Sequence, residues 1–122
     1  MASRILLIET EKHARRMFAE LLRQNGYEVL EAENGRGCVE QLFDQSVDLV
    51  VTNMIMPEMD GVETIVAVRE RYPETKILAI SANGINSADD CLRIAKALGA
   101  HKTLTKPLNP ELFLREVNAL IG

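Results

Sequence analysis

The chain has 122 residues, 47% of them hydrophobic and 26% charged, which is enough to close one core and is read as a single domain over residues 1–122. Fourteen Lys and Arg stand against eighteen Asp and Glu, a net charge of -4, so there is no basic field of the kind that a phosphate backbone or an anionic membrane selects. Direct nucleic-acid binding is not expected. No apolar run approaches the roughly 18 residues of a membrane span, and Met1-Ala2-Ser3-Arg4 lacks a signal-peptide cleavage pattern, so the expectation is a cytoplasmic protein without membrane association.

In chain order, Ser3–Ile8 is a short apolar strand ending in acids. Lys12–Asn25 follows with Ala14, Met17, Phe18, Leu21 and Leu22 at helical spacing and Gly26 as terminator. Glu28–Ala32 alternates as a strand, Asn34-Gly35 breaks the chain, and Cys38, Val39, Leu42 and Phe43 mark the next helical face. Asp48–Thr52 is a third strand, followed by an irregular stretch through Pro57 to Asp60-Gly61 and a helix carrying Val62, Ile65 and Val66 that ends near Tyr72-Pro73. Lys76–Ser81 is a fourth strand. The loop Ala82–Ser87 leads into a helix with Ala88, Cys91, Leu92, Ala95 and Leu98 inward, closed by Gly99. His101–Thr105 is the fifth strand, and Pro110 opens a last helix with Phe113, Val117, Leu120 and Ile121 on its face.

Five strand–helix alternations with short connections imply an α/β fold, a parallel sheet covered by helices on both faces. In such sheets the working site lies at the carboxyl ends of the strands. That rule singles out Glu9-Thr10-Glu11, Asn53, Ser81-Ala82 and Lys106-Pro107. Cys38 and Cys91 lie on apolar helix faces without metal-ligand spacing and read as small buried hydrophobes. His13 and His101 have no partners at metal spacing, and the charges His13, Arg15 and Arg16 on the first helix read as a solvated face.

The passages Asp48-Leu-Val-Val-Thr-Asn53-Met-Ile-Met-Pro57-Glu-Met-Asp60-Gly61, Ser81-Ala82 and Leu104-Thr-Lys106-Pro107 make the chain resemble, along its whole length, the receiver domains of bacterial response regulators. The resemblance implies a doubly wound, flavodoxin-like sheet of order 2-1-3-4-5 with five helices, an order the family's chemotaxis members exemplify. It implies transfer of a phosphoryl group from a sensor histidine kinase or phosphotransfer protein to an aspartate beside Mg²⁺, followed by a change of output partner. By the same resemblance Asn53 stands at the acceptor position, Glu9 and Thr10 replace the two metal-binding acids, and Ile55 supplies the backbone carbonyl of the metal site. Ser81 and Lys106 match the phosphoryl-binding hydroxyl and lysine. The Lys106-Pro107 bond is implied to be cis. Thr103 stands where many receivers place a switching aromatic residue, so with Ser81 it forms an altered switch.

Chemistry turns these matches into expectations. An asparagine amide is a poor nucleophile and cannot form an acyl phosphate directly. Replacing two carboxylates by an amide and a hydroxyl removes two negative charges from a Mg²⁺ shell, so metal affinity is expected to be reduced or lost. Two versions remain open: a phosphorylation-independent pseudo-receiver, or an acceptor-blocked variant of a phosphorylatable protein. Intrinsic enzymatic turnover is not expected. The alternative, a flavin- or nucleotide-binding protein of the same topology, calls for a glycine-rich loop after the first strand to present N–H groups to phosphate, where this chain has Glu9-Thr10-Glu11-Lys12.

Overall fold

The computed structural model describes residues 3–36, 46–54, 61–81 and 87–122, with the backbone alone for 87–92. The strands are β1 (Arg4–Ile8), β2 (Glu28–Ala32), β3 (Leu49–Asn53), β4 (Lys76–Ser81) and β5 (Lys102–Thr105). The helices among the described residues are α1 (Lys12–Gln24), α2 (Gly61–Arg71), α3 (Ser87–Leu98) and α4 (Pro110–Ile121). The helix expected through Cys38–Phe43, like Ile55, Pro57, Asp60 and most of the Ala82–Ser87 loop, lies outside the described residues.

All pairings are parallel and the order is β2-β1-β3-β4-β5. Alternation along each strand sends side chains to two separate cores. Ile5, Leu7, Leu49, Val51, Leu78 and Ile80 pack against Phe18, Ala19 and Leu22 of α1 and Phe113 and Val117 of α4. Leu6, Ile8, Val50, Ile77 and Ala79 pack on the other face against Ile65 and Val68 of α2 and Ala95 of α3. Phe18 and Phe113 meet edge to face, with centroids 5.0 Å apart. Because β1, β3 and β4 are covered on both faces, they are continuous apolar runs.

Local chemistry sets the helix ends. The Glu11 carboxylate caps α1, accepting from the N–H groups of His13 at 3.0 Å and Ala14 at 2.6 Å. Those bonds, the Ala14 one foremost, hold its carboxyl below the ordinary carboxylate range. Asn109 caps α4 through the Leu112 N–H, with Pro110 in the first turn. Gly26 (φ 90°) and Gly99 (φ 116°) follow α1 and α3 in the left-handed conformation.

Some expectations shift. The third strand runs one residue further, so Asn53 ends it, and the fifth begins at Lys102 rather than His101. Met17 is 56% exposed and Val66 faces solvent, because the buried stripe of each helix is narrower than its apolar content. Arg15, read from the sequence as solvated, is buried.

Candidate functional site

Parallel strands that start in register also finish together, so the residues at their carboxyl ends share one crevice. Glu9 directly follows β1, Asn53 and Ser81 are the last residues of β3 and β4, and Lys106 directly follows β5. Backbone bonds carry the ladder a residue further, from Glu9 N–H to Ala32 O, Met54 N–H to Ile80 O and Lys106 N–H to Ser81 O, at 2.8–3.0 Å. Gly61, at the start of α2, lies against this end of β3. A Cβ there would come within 2.5 Å of Asn53 O and Met54 Cα, so a side chain is excluded by backbone atoms that have no room to yield.

The buried carboxylate of Glu9 is the hub. Its Oε1 meets Lys106 Nζ at 2.7 Å. Its Oε2 accepts from Asn53 Nδ2 at 2.7 Å and from the Glu11 N–H at 3.0 Å. The neutral Asn53 amide offers an ammonium no charge, so the lysine pairs with the carboxylate that follows β1. Asn53 then acts as a donor, with its N–H on Glu9. Its backbone carbonyl accepts from Thr52 Oγ1 at 3.0 Å.

Thr10 is exposed and points elsewhere: its hydroxyl donates to Glu33 O at 3.1 Å, linking the loops that follow β1 and β2. Ser81 is 2% exposed and its Oγ has no hydrogen-bond partner among the described residues. Thr103 is half-buried on β5, opposite Ala79. Lys106-Pro107 is cis, as the resemblance implied. His13 and Arg16 are exposed. His101 Nδ1 accepts the Ile77 N–H at 3.1 Å, far from the crevice at the opposite end of the sheet. Among the described residues, no three of His, Cys, Asp and Glu cluster as metal ligands, and no helix is long and apolar enough to cross a membrane.

Sequence reasoning missed one participant, Arg15, and named Glu11 only as an acid at the end of the first strand. Glu11 contributes its backbone N–H to Glu9 and its side chain to the first N–H groups of α1, which are the groups a flavin or nucleotide phosphate would need. Arg15 donates from Nη1 to Glu9 O at 2.8 Å. Arg15 has no local signal beyond its charge, whereas Glu11, immediately before the helix at Lys12, is legible as a cap.

The chain matches the model of the response regulator receiver domain over residues 5–118. It is 34% identical to the chemotaxis protein CheY of Bacillus subtilis over 123 residues, covering 100% of both chains. It is 32% identical to the response regulator receiver protein CpdR of Brucella abortus, covering 97% of this chain and 96% of that one. Among solved structures, Vibrio cholerae chemotaxis protein CheY4 superposes with a TM-score of 0.88 at 28% identity, over 99% of this chain and 100% of that chain.

Proposed function

The chain belongs to the response regulator receiver family, and from that premise we propose that this receiver of two-component signalling acts by protein contact through a pocket that takes up no phosphoryl group. The observation that carries the reading is the engaged Glu9 carboxylate, both of whose oxygens are held, by Lys106 on one and by Asn53 and the Glu11 N–H on the other. Asn53 occupies the acceptor position without a nucleophilic oxygen. Lys106 and Ser81 keep the residue types that would bind a phosphoryl group, and Ser81 with Thr103 forms a switch lacking its aromatic half.

Receiver domains of this family generally bind Mg²⁺ in their acidic pocket. The residues here do not fit that ion. Mg²⁺ wants near-octahedral, hard and preferably anionic oxygens, whereas the described pocket offers a carboxylate already paired with an ammonium. Asn53 directs its N–H donors there, and the Thr10 hydroxyl is engaged on Glu33 O. We therefore assign the pocket low Mg²⁺ affinity and route no step through the metal.

The partners are a sensor histidine kinase or phosphotransfer protein and a downstream output protein, met in the cytoplasm by a single receiver domain over residues 1–122. The docking face is α1, which exposes Met17 beside His13 and Arg16, together with the start of α4, where Leu112 is exposed.

Incubation with acetyl phosphate and Mg²⁺ followed by intact-mass measurement tests the reading. The protein is expected to remain unmodified, and a phosphoryl group mapped to this pocket would overturn it. Asn53→Asp is expected to restore little labelling, and Asn53→Asp with Thr10→Asp more than the sum of the single changes, since the nucleophile and the cation shell act as a unit. If Asn53→Asp reached the double variant's rate, the pocket would be a simple blocked acceptor.

A further inference from the structure

Arg15 carries one of the least expected burials in the molecule, at 9% exposure on a helix otherwise lined with solvated charge. It is not idle. Nη1 donates to the Glu9 backbone carbonyl at 2.8 Å, and Nε lies 3.5 Å from Glu31 Oε1 on β2. The other oxygen of Glu31 pairs with Arg23 Nη1 at 3.2 Å, and Arg23 Nη2 donates to Val29 O at 3.0 Å. The guanidinium thus stands between a residue anchored on the edge strand and the peptide that carries the pocket's hub.

We infer that Arg15 is a positioning residue for the pocket, holding the Glu9–Thr10 peptide plane so that the Glu9 carboxylate is presented jointly to Lys106 and Asn53. The physical step is short. A side chain's reach is set by the backbone from which it departs, and Glu9 leaves the sheet at the residue where the β1 ladder ends. With its N–H tied to Ala32 O and its carbonyl to Arg15, both sides of Glu9 are fixed. Its carboxylate then meets two side chains 44 and 97 residues away without searching for them. A rigid guanidinium fork can serve a carbonyl and a carboxylate at once, while a lysine ammonium at the end of a flexible stem holds one of them well. The inference rests on Glu9, Asn53 and Lys106 being the working pocket.

The test reads the pocket and not the fold. In the full chain, the acetylation rate of Lys106 relative to the exposed Lys12, measured by peptide mass spectrometry, reports how firmly Glu9 holds the ammonium. The Asn53 side-chain amide resonances report the second bond. Arg15→Gln is expected to raise the relative Lys106 rate several-fold and to shift the Asn53 amide, and Arg15→Lys to fall between it and the parent. Glu31→Gln leaves Arg15 in place but removes its anchor from a partly exposed position, so it tests the same link should Arg15→Gln fail to fold. A smaller change in the same direction is expected. A lowered melting temperature with Lys106 reactivity and the Asn53 amide unmoved in these variants would reduce Arg15 to a packing role and overturn the inference. Phosphoryl labelling plays no part in these readouts, so failure here is distinguishable from failure of the phosphorylation-independent reading.

Discussion

The two ends of the sheet solve the same problem, polar groups close to a buried core, in different ways. At the amino-terminal end, beside the Arg4–Glu28 ion pair, side chains bond mainly to backbone: Thr75 Oγ1 donates to Val47 O at 3.0 Å, Arg69 Nη1 to Pro73 O at 2.7 Å, and His101 Nδ1 accepts the Ile77 N–H. At the carboxyl end the decisive bonds join side chains to each other, with Glu9 gripping Lys106 and Asn53. A backbone group is fixed by the strand or turn it belongs to, so bonds to it fasten the fold. Side-chain partners can be exchanged without dismantling a strand, so bonds between them can be altered with the fold intact.

The largest expected effect is at the pocket's wall. Gly61→Ala forces a methyl against Asn53 O and Met54 Cα and should cost about 3 kcal/mol by the measure of overpacked sites, read as a loss in urea unfolding free energy. An unchanged midpoint would mean that α2 and β3 can separate, and that the pocket end is softer than its contacts imply.

Next comes Lys106→Met. It leaves a 9%-exposed carboxylate without its cation, while the lysine side chain is a third exposed. A cost of about 1–2 kcal/mol lies between the values for buried and surface pairs. With Glu9→Gln already present, the same substitution should cost almost nothing, because no charge remains to be stranded. A full cost in the Gln background would show that packing, not charge, holds this end together.

Thr75→Val sharpens the contrast from the other end. It removes the donor to Val47 O and should cost about 1 kcal/mol, and no neutral substitution of a second side chain can rescue it, since the acceptor is a peptide carbonyl. A compensating partner found by double-mutant analysis would erase the distinction between the two ends.

The smallest effect is a pH dependence. Burial first, then Arg69 and Lys76, hold the His101 imidazole below its usual value, in keeping with an Nδ1 that must stay unprotonated to accept the Ile77 N–H. The unfolded chain therefore binds that proton more readily. The contribution of His101 is whole above the unfolded value of about 6.5 and is lost as pH falls from there towards the lowered folded value. His101→Asn should flatten this part of the stability profile, and an unchanged slope would assign it to another group.

Much of this architecture was legible before any coordinates. Strands of uninterrupted Val, Ile and Leu alternating with amphipathic stretches specify buried parallel strands and covering helices, because each pattern depends on neighbours within a few residues. Caps such as Asn109-Pro110 and stops such as Gly26 and Gly99 are equally local. That Glu9, Asn53, Ser81 and Lys106 stand at the carboxyl ends of the strands followed from the topology rule. The resemblance supplied the strand order and the cis Lys106-Pro107 bond, which no periodicity contains.

What only the tertiary structure decided were the pairings. That Lys106 turns to Glu9 and not to residue 53, that Thr10 leaves the crevice for Glu33 O, and that Arg15 is buried while Met17 on the same helix is exposed all depend on which charges and carbonyls the crossovers bring within 3 Å. Residue spacing controls which way a side chain leaves its own helix or strand. Its partner is chosen across the fold by the balance of charge and desolvation at the place where separate strands end together.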